Sequence, residues 1–191
     1  MPIIIGQEPG SDFRHPLGLL TDCHRRINHF LNVLHLVVRQ GQRKSLDKEH
    51  REGLDGSLRY FREAAPKHTA DEEESLFPRM LSRAGSDSAG VSHMLTLLDA
   101  EHRIISSDHG RVDELGRKWL LDGSLAADEL IRLRTMLDSL QEIYARHIAI
   151  EEQDVFPLAA RILQSSDLHS IAREMAQRRD LRIENYAGVE S

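Results

Sequence analysis

The chain has 191 residues, of which 40% are hydrophobic, 29% charged and 5% aromatic, and a formal net charge of −6. That is enough chain for one soluble domain with a real core, or two very small ones. The acidic balance excludes the clustered basic footprint of a nucleic-acid binder. Cys23 is the only cysteine, which excludes an intramolecular disulfide and a thiolate cluster for zinc or iron–sulfur. No apolar run approaches the roughly 18 residues of a membrane span. The N-terminus lacks a basic region followed by a long apolar run. The expectation is a cytoplasmic protein with neither membrane nor nucleic acid as partner.

In chain order, residues 1–14 read as an N-terminal extension. A first helix carries the apolar stripe Leu17, Leu20, His24, Ile27, Leu31, Leu34 and Val38 and ends at a break over Gly41–Ser45. A second carries Leu54, Leu58, Phe61, Ala65, His68 and Glu72, and ends before the break Ala84–Gly90. Pro66 should kink it, and Pro78 should bend or end it. A third carries Leu95, Leu98, His102, Ile105, His109 and Val112, up to Asp122-Gly123-Ser124. A fourth carries Leu133, Leu137, Leu140, Tyr144, His147 and Glu151, with Pro157 near its end and a break at Gln164–Asp167. Steps of three and four residues mark the buried seam of a helical bundle. A shorter amphipathic helix is expected from Asp167 to about Ile183. The fold class is therefore all-α: an antiparallel up-down-up-down four-helix bundle over residues 15–165, then a C-terminal helix and tail over 166–191.

The chain also repeats. His68-Thr-Ala-Asp-Glu72-Glu73-Glu-Ser-Leu-Phe77-Pro78 aligns with His147-Ile-Ala-Ile-Glu151-Glu152-Gln-Asp-Val-Phe156-Pro157, and His24-Arg25-Arg26-Ile27 with His102-Arg103-Ile104-Ile105. This is one helical hairpin written twice.

Besides His109 and Tyr144, six ionisable residues sit in the apolar stripes: His24, His68, Glu72, His102, His147 and Glu151. A buried polar group without a partner costs roughly 2–7 kcal/mol, and an unpaired charge far more, so the six must share a partner. Spacing agrees. The midpoints of His24/His68, Glu72/His102 and His102/His147 fall at about residues 46, 87 and 124–125, each at a break between helices. At about 1.5 Å of rise per residue, each pair lies near one level of the bundle. Within each repeat the His and Glu are four apart and share a helix face.

Four imidazoles, two carboxylates and no thiolate favour iron or manganese at a two-metal site. Two irons per chain satisfy the arithmetic. Each takes two histidines, one oxygen from each of the bridging Glu72 and Glu151, and an oxo or hydroxo bridge, which leaves a position open. Asp22, Glu73, Glu101 and Glu152 are candidates to orient the imidazoles or offset charge. Tyr144 is a candidate hydrogen-bond donor to a ligand, and His109 a candidate gate or packing residue.

The two His-x-x-x-Glu-Glu-x-x-Leu/Val-Phe-Pro blocks, each preceded by a His-Arg helix, resemble the hemerythrin-like HHE cation-binding family over roughly residues 15–160. The resemblance implies a non-haem di-iron centre that meets dioxygen, nitric oxide or peroxide. It is closer to the bacterial proteins linked to repair of iron centres than to the oxygen carriers. The carriers have a second histidine on the third helix, where this chain has Ser106, and an aspartate on the fourth, where it has Glu151. The repair proteins usually carry a further cysteine-bearing domain, which does not stand ahead of residue 15 here. The expected partners are a small diatomic ligand or peroxide and a redox partner. The expected activity is binding or sensing, with reduction of peroxide or nitric oxide, or an iron-dependent interaction, as alternatives.

Overall fold

A computed structural model describes residues 11–41 and 46–181, and all the regular structure among them is helical. The helices are α1 (Pro16–Gly41), α2 (Lys48–Glu63), α3 (Ala65–Ala70), α4 (Phe77–Arg83), α5 (Ser88–Asp122), α6 (Ala127–Ile150), α7 (Phe156–Ile162) and α8 (Ser165–Gln177). Two π turns, Asp71–Leu76 and Glu151–Val155, join α3 to α4 and α6 to α7. None of these helices is long and apolar enough to cross a membrane.

The predicted stripes are buried along their whole length, except for Leu17, which is half-buried. α1 packs on α2, α2 on α5, α5 on α6, and α6 back on α1. Their apolar side chains form two clusters. One joins the C-terminal half of α1 (Leu31, Leu34) to the start of α2 (Leu54), the end of α5 (Trp119) and the start of α6 (Leu133). The other joins Leu20 of α1 to Leu76, Met80 of α4, Leu95 of α5 and Phe156 of α7, with Ile171 and Met175 of α8. His24, His68, Glu72, His102, His147 and Glu151 lie between these clusters.

The prolines act as expected, with added detail. α2 ends at Glu63 with Ala64 as its C-cap, two residues before Pro66, and Pro66 stands in the first turn of α3. Pro78 and Pro157 occupy the first turns of α4 and α7. A proline has no N–H to give and its ring crowds the carbonyl four residues back. The helix widens just upstream: the N–H of Phe77 reaches the carbonyl of Glu72, and that of Phe156 reaches Glu151.

The Ala84–Gly90 break is shorter than expected, because α5 already starts at Ser88. Of the first break, residues 42–45 lie outside the described part. Gly123 closes α5 in the left-handed conformation, φ 75°, its N–H on the carbonyl of Trp119. The last helix runs Ser165–Gln177 rather than to Ile183, which lies outside the described residues. Asp180 takes a left-handed φ of 56° and the N–H of Leu181 turns back to the carbonyl of Ala176, which ends the helix.

Ion pairs hold α8 against the first π turn. Asp71 is fully buried and receives Arg178 at 3.0 Å and Arg179 at 2.6 Å. Arg79–Glu174 at 2.7 Å and Arg83–Asp167 at 2.9 Å extend the seam. Breaking a fully buried pair costs about 3–5 kcal/mol. The arginines here are about one-fifth exposed, so Asp71→Asn is expected to cost about 2–3 kcal/mol. The check is the urea midpoint, which should fall with the slope unchanged; an unmoved midpoint would show that the pair contributes nothing.

Candidate metal centre

His24 comes from α1, His68 from α3, His102 from α5 and His147 from α6, while Glu72 and Glu151 lie in the two π turns. All six are buried, and both glutamates are completely so. They form two overlapping groups. His24, His68, Glu72 and Glu151 each offer a ligand atom within 4.8 Å of the others, and so do Glu72, His102, His147 and Glu151. Both carboxylates belong to both groups.

Every histidine turns Nε2 inward. The nearest oxygens are Glu151 Oε2 for His24 at 3.1 Å, Glu72 Oε1 for His68 at 3.4 Å, Glu72 Oε2 for His102 at 3.4 Å and Glu151 Oε1 for His147 at 3.2 Å. Each carboxylate therefore sends one oxygen to each side. These are near contacts rather than satisfied bonds: all four glutamate oxygens and His24 Nε2 are buried without a hydrogen bond. Five orphaned polar atoms converging on one space fit a pair of cations held between them.

The electrostatics ask for positive charge. Burial, then the neighbouring Glu151 charge, push the Glu72 carboxyl well up. Burial also pushes Glu151 up, but the His147 and His24 imidazoles close beside it outweigh that and hold the carboxyl low. Conversely, burial alone would depress His24 and His147, and their shared Glu151 leaves both raised. His68 stays well below its usual value because burial dominates. Cations between the two carboxylates would let both ionise.

Three of the four outward nitrogens are fixed by carboxylates. His24 Nδ1 meets Glu152 at 2.9 Å, His102 Nδ1 meets Glu73 at 2.9 Å, and His147 Nδ1 meets Glu101 at 3.0 Å. Each of these acids is the chain neighbour of a residue in the cluster and orients an imidazole on another helix. Glu101 is itself gripped by Arg146 at 2.5 Å. His68 Nδ1 is buried without a partner. Phe156 stacks on His24 with centroids 5.5 Å apart, and Phe77 lies parallel to His102 at 6.3 Å.

The other sequence candidates divide. Asp22 does not join the cluster; it accepts from the Ser11 N–H at 2.8 Å and pairs with Arg25. Cys23 is a buried free thiol outside both groups, contacted by Arg26 at 3.1 Å. Tyr144 Oη and His109 Nε2 are hydrogen-bonded to each other at 3.0 Å. Sequence reasoning missed the two π turns and the anchoring role of Asp71. The signal for the turns was present: a proline follows each glutamate at the same distance in both repeats.

The hemerythrin HHE cation-binding domain model matches residues 15–179. An uncharacterized protein of Haemophilus influenzae is 21% identical over 179 residues, which cover 94% of this chain and 98% of that one. No solved structure matches.

Removing an imidazole's carboxylate partner typically costs about 10–100-fold in metal affinity. Glu73→Gln and Glu101→Gln are each expected to weaken metal retention by about that factor, read by chelator competition at fixed pH. Retention equal to that of the parent chain would show that these acids only face solvent.

Proposed function

The chain belongs to the hemerythrin HHE cation-binding family, and on that premise we propose that it is a non-haem di-iron protein which binds or senses dioxygen, nitric oxide or a related oxidant. The architecture we infer is an antiparallel up-down-up-down four-helix bundle with an added C-terminal helix, supported by the closed ring of helix contacts and the two end-to-end apolar clusters. Its ligands are His24 and His68 for one ion and His102 and His147 for the other, with Glu72 and Glu151 bridging. The observation that carries this reading is the sharing of both carboxylates by both ligand groups. One four-ligand zinc site would leave two of the six buried groups without a partner.

When bound, two irons supply reversible one-electron chemistry and an open coordination position. The protein's part is to hold the imidazoles in one tautomer through Glu73, Glu101 and Glu152, and to exclude bulk water with Phe77 and Phe156. A cavity of about 10 Å³ lies among His24, His68, His102 and His147. That is about the space of one water molecule, which suits a small bound ligand or bridging group. The site offers no separate nucleophile–base pair, which favours binding over a dedicated hydrolytic activity.

The test is metal content and the absorption spectrum of aerobically purified protein. About two irons per chain are expected, with near-ultraviolet oxo-to-iron bands that disappear in His147→Ala. One zinc per chain, or an unchanged metal content in His147→Ala, would refute the assignment.

A further inference from the structure

A second cavity, of about 310 Å³, opens between the α2–α3 segment and α5. Its floor is buried and mostly apolar: Leu58, Phe61, Ile105 and Val112, with His102, His109 and Tyr144. Its rim is exposed at Arg62, Pro66, Ser106 and Gly110. It shares Ala65, Thr69, His102, Ile105 and Tyr144 as walls with the small cavity among the four histidines. The two spaces are therefore neighbours that share one wall.

Its volume is about twice that of an engineered apolar cavity of about 150 Å³ that holds benzene. A diatomic molecule needs far less. The polar feature of the floor is the His109–Tyr144 pair. Phe61 stacks on the His109 ring at 4.0 Å and 18°, Tyr144 engages Nε2, and Nδ1 is buried without a partner. Burial holds the His109 imidazole down at about 3, so it is neutral and presents one hydrogen-bonding edge without charge. The one cation at the rim, Arg62, is paired with Asp113 at 3.0 Å. The lining thus suits a neutral molecule with an apolar body and a single polar end.

The internal repeat sets these features apart from the needs of the fold. Counting from the matched histidines, His109 corresponds to Leu31 and Tyr144 to Ala65. One hairpin packs with plain apolar residues where the other carries the hydrogen-bonded pair. Gly110 adds a second mark: it sits inside α5, where glycine weakens a helix, and a Cβ built there meets nothing within 4 Å. Its bare backbone leaves the rim open.

We propose that this cavity binds an organic hydroperoxide, its apolar body against Phe61, Ile105 and Val112 and its polar end at the His109–Tyr144 pair. The choice of a hydroperoxide among neutral organic molecules rests on the oxidant reading above; the cavity itself does not. The probe is 2-phenylpropan-2-ol, which has the shape of an aromatic hydroperoxide without the second oxygen. It is titrated calorimetrically into the full chain as purified with its metal, and metal content is measured on the same sample. Saturable binding is expected. Gly110→Trp, which fills the rim, and His109→Phe, which keeps the stacking but removes the polar edge, should each weaken it roughly tenfold, about the worth of one good contact. Ser107→Trp, on the exposed face of α5 away from the cavity, should leave it unchanged. No binding to the metal-bearing chain, or equal binding by Gly110→Trp, would overturn the cavity assignment and leave the metal centre standing. Binding by a chain that holds no metal would overturn the hydroperoxide as occupant, together with the oxidant reading.

Discussion

Two carboxylates with no exposure to water, facing each other across four imidazoles, are the constraint around which this molecule is arranged. An isolated carboxylate in such a place is too costly to keep ionised. Here the oxygens of Glu72 and Glu151 each face a different imidazole, so that every side of the cluster presents two nitrogens and two oxygens. The apolar clusters at either end keep water away from that layer and fix its height. The same burial that makes the layer expensive without cations makes the coulombic attraction to cations strong.

Orientation then passes outward by one residue. Glu73, Glu101 and Glu152 stand next to Glu72, His102 and Glu151 in the chain, yet each holds an imidazole supplied by a different helix. Fixing one helix therefore fixes its neighbour, and the cluster and its supports form one interlocked layer. Asp71 does the same on the other side of Glu72, tying the first π turn to the C-terminal helix through Arg178 and Arg179.

Much of this was legible in the sequence, because helical periodicity and level-matching depend only on spacing. His24, His68, His102 and His147 could be placed at one height by counting from the breaks, and the structure brings them together with Glu72 and Glu151. The π turns were not read, because widening a helix by one residue leaves the apolar stripe nearly intact. Only the Phe-Pro after each glutamate hinted at it. Asp71 looked like one more acid in an acidic run, since its partners lie more than a hundred residues away. Asp22 was read as a neighbour of the site from proximity in the chain, but it turns toward Ser11 and Arg25. Asp22 stands two residues before His24, and two helical steps carry a side chain about 200° around the axis, away from the site.

The repeat also shows where the two halves stopped being alike. Glu101 precedes His102 and supports His147; the matching position before His24 is Cys23, and the matching imidazole, His68, is the one whose Nδ1 has no partner. One side of the centre thus has both histidines held by carboxylates, while the other has one. A carboxylate on the outer nitrogen raises the basicity of the inner one, so the pair His102–His147 is the stronger donor set. The asymmetry falls on the same side as the second cavity, which touches His102 and carries the His109–Tyr144 pair that the other half replaces with Leu31 and Ala65. A duplicated hairpin folded for symmetry would keep its halves equal. Here the better-supported imidazoles belong to the second hairpin, while the space beside them is walled by both, with Leu58, Phe61 and Ala65 from the first and Ile105, His109 and Tyr144 from the second.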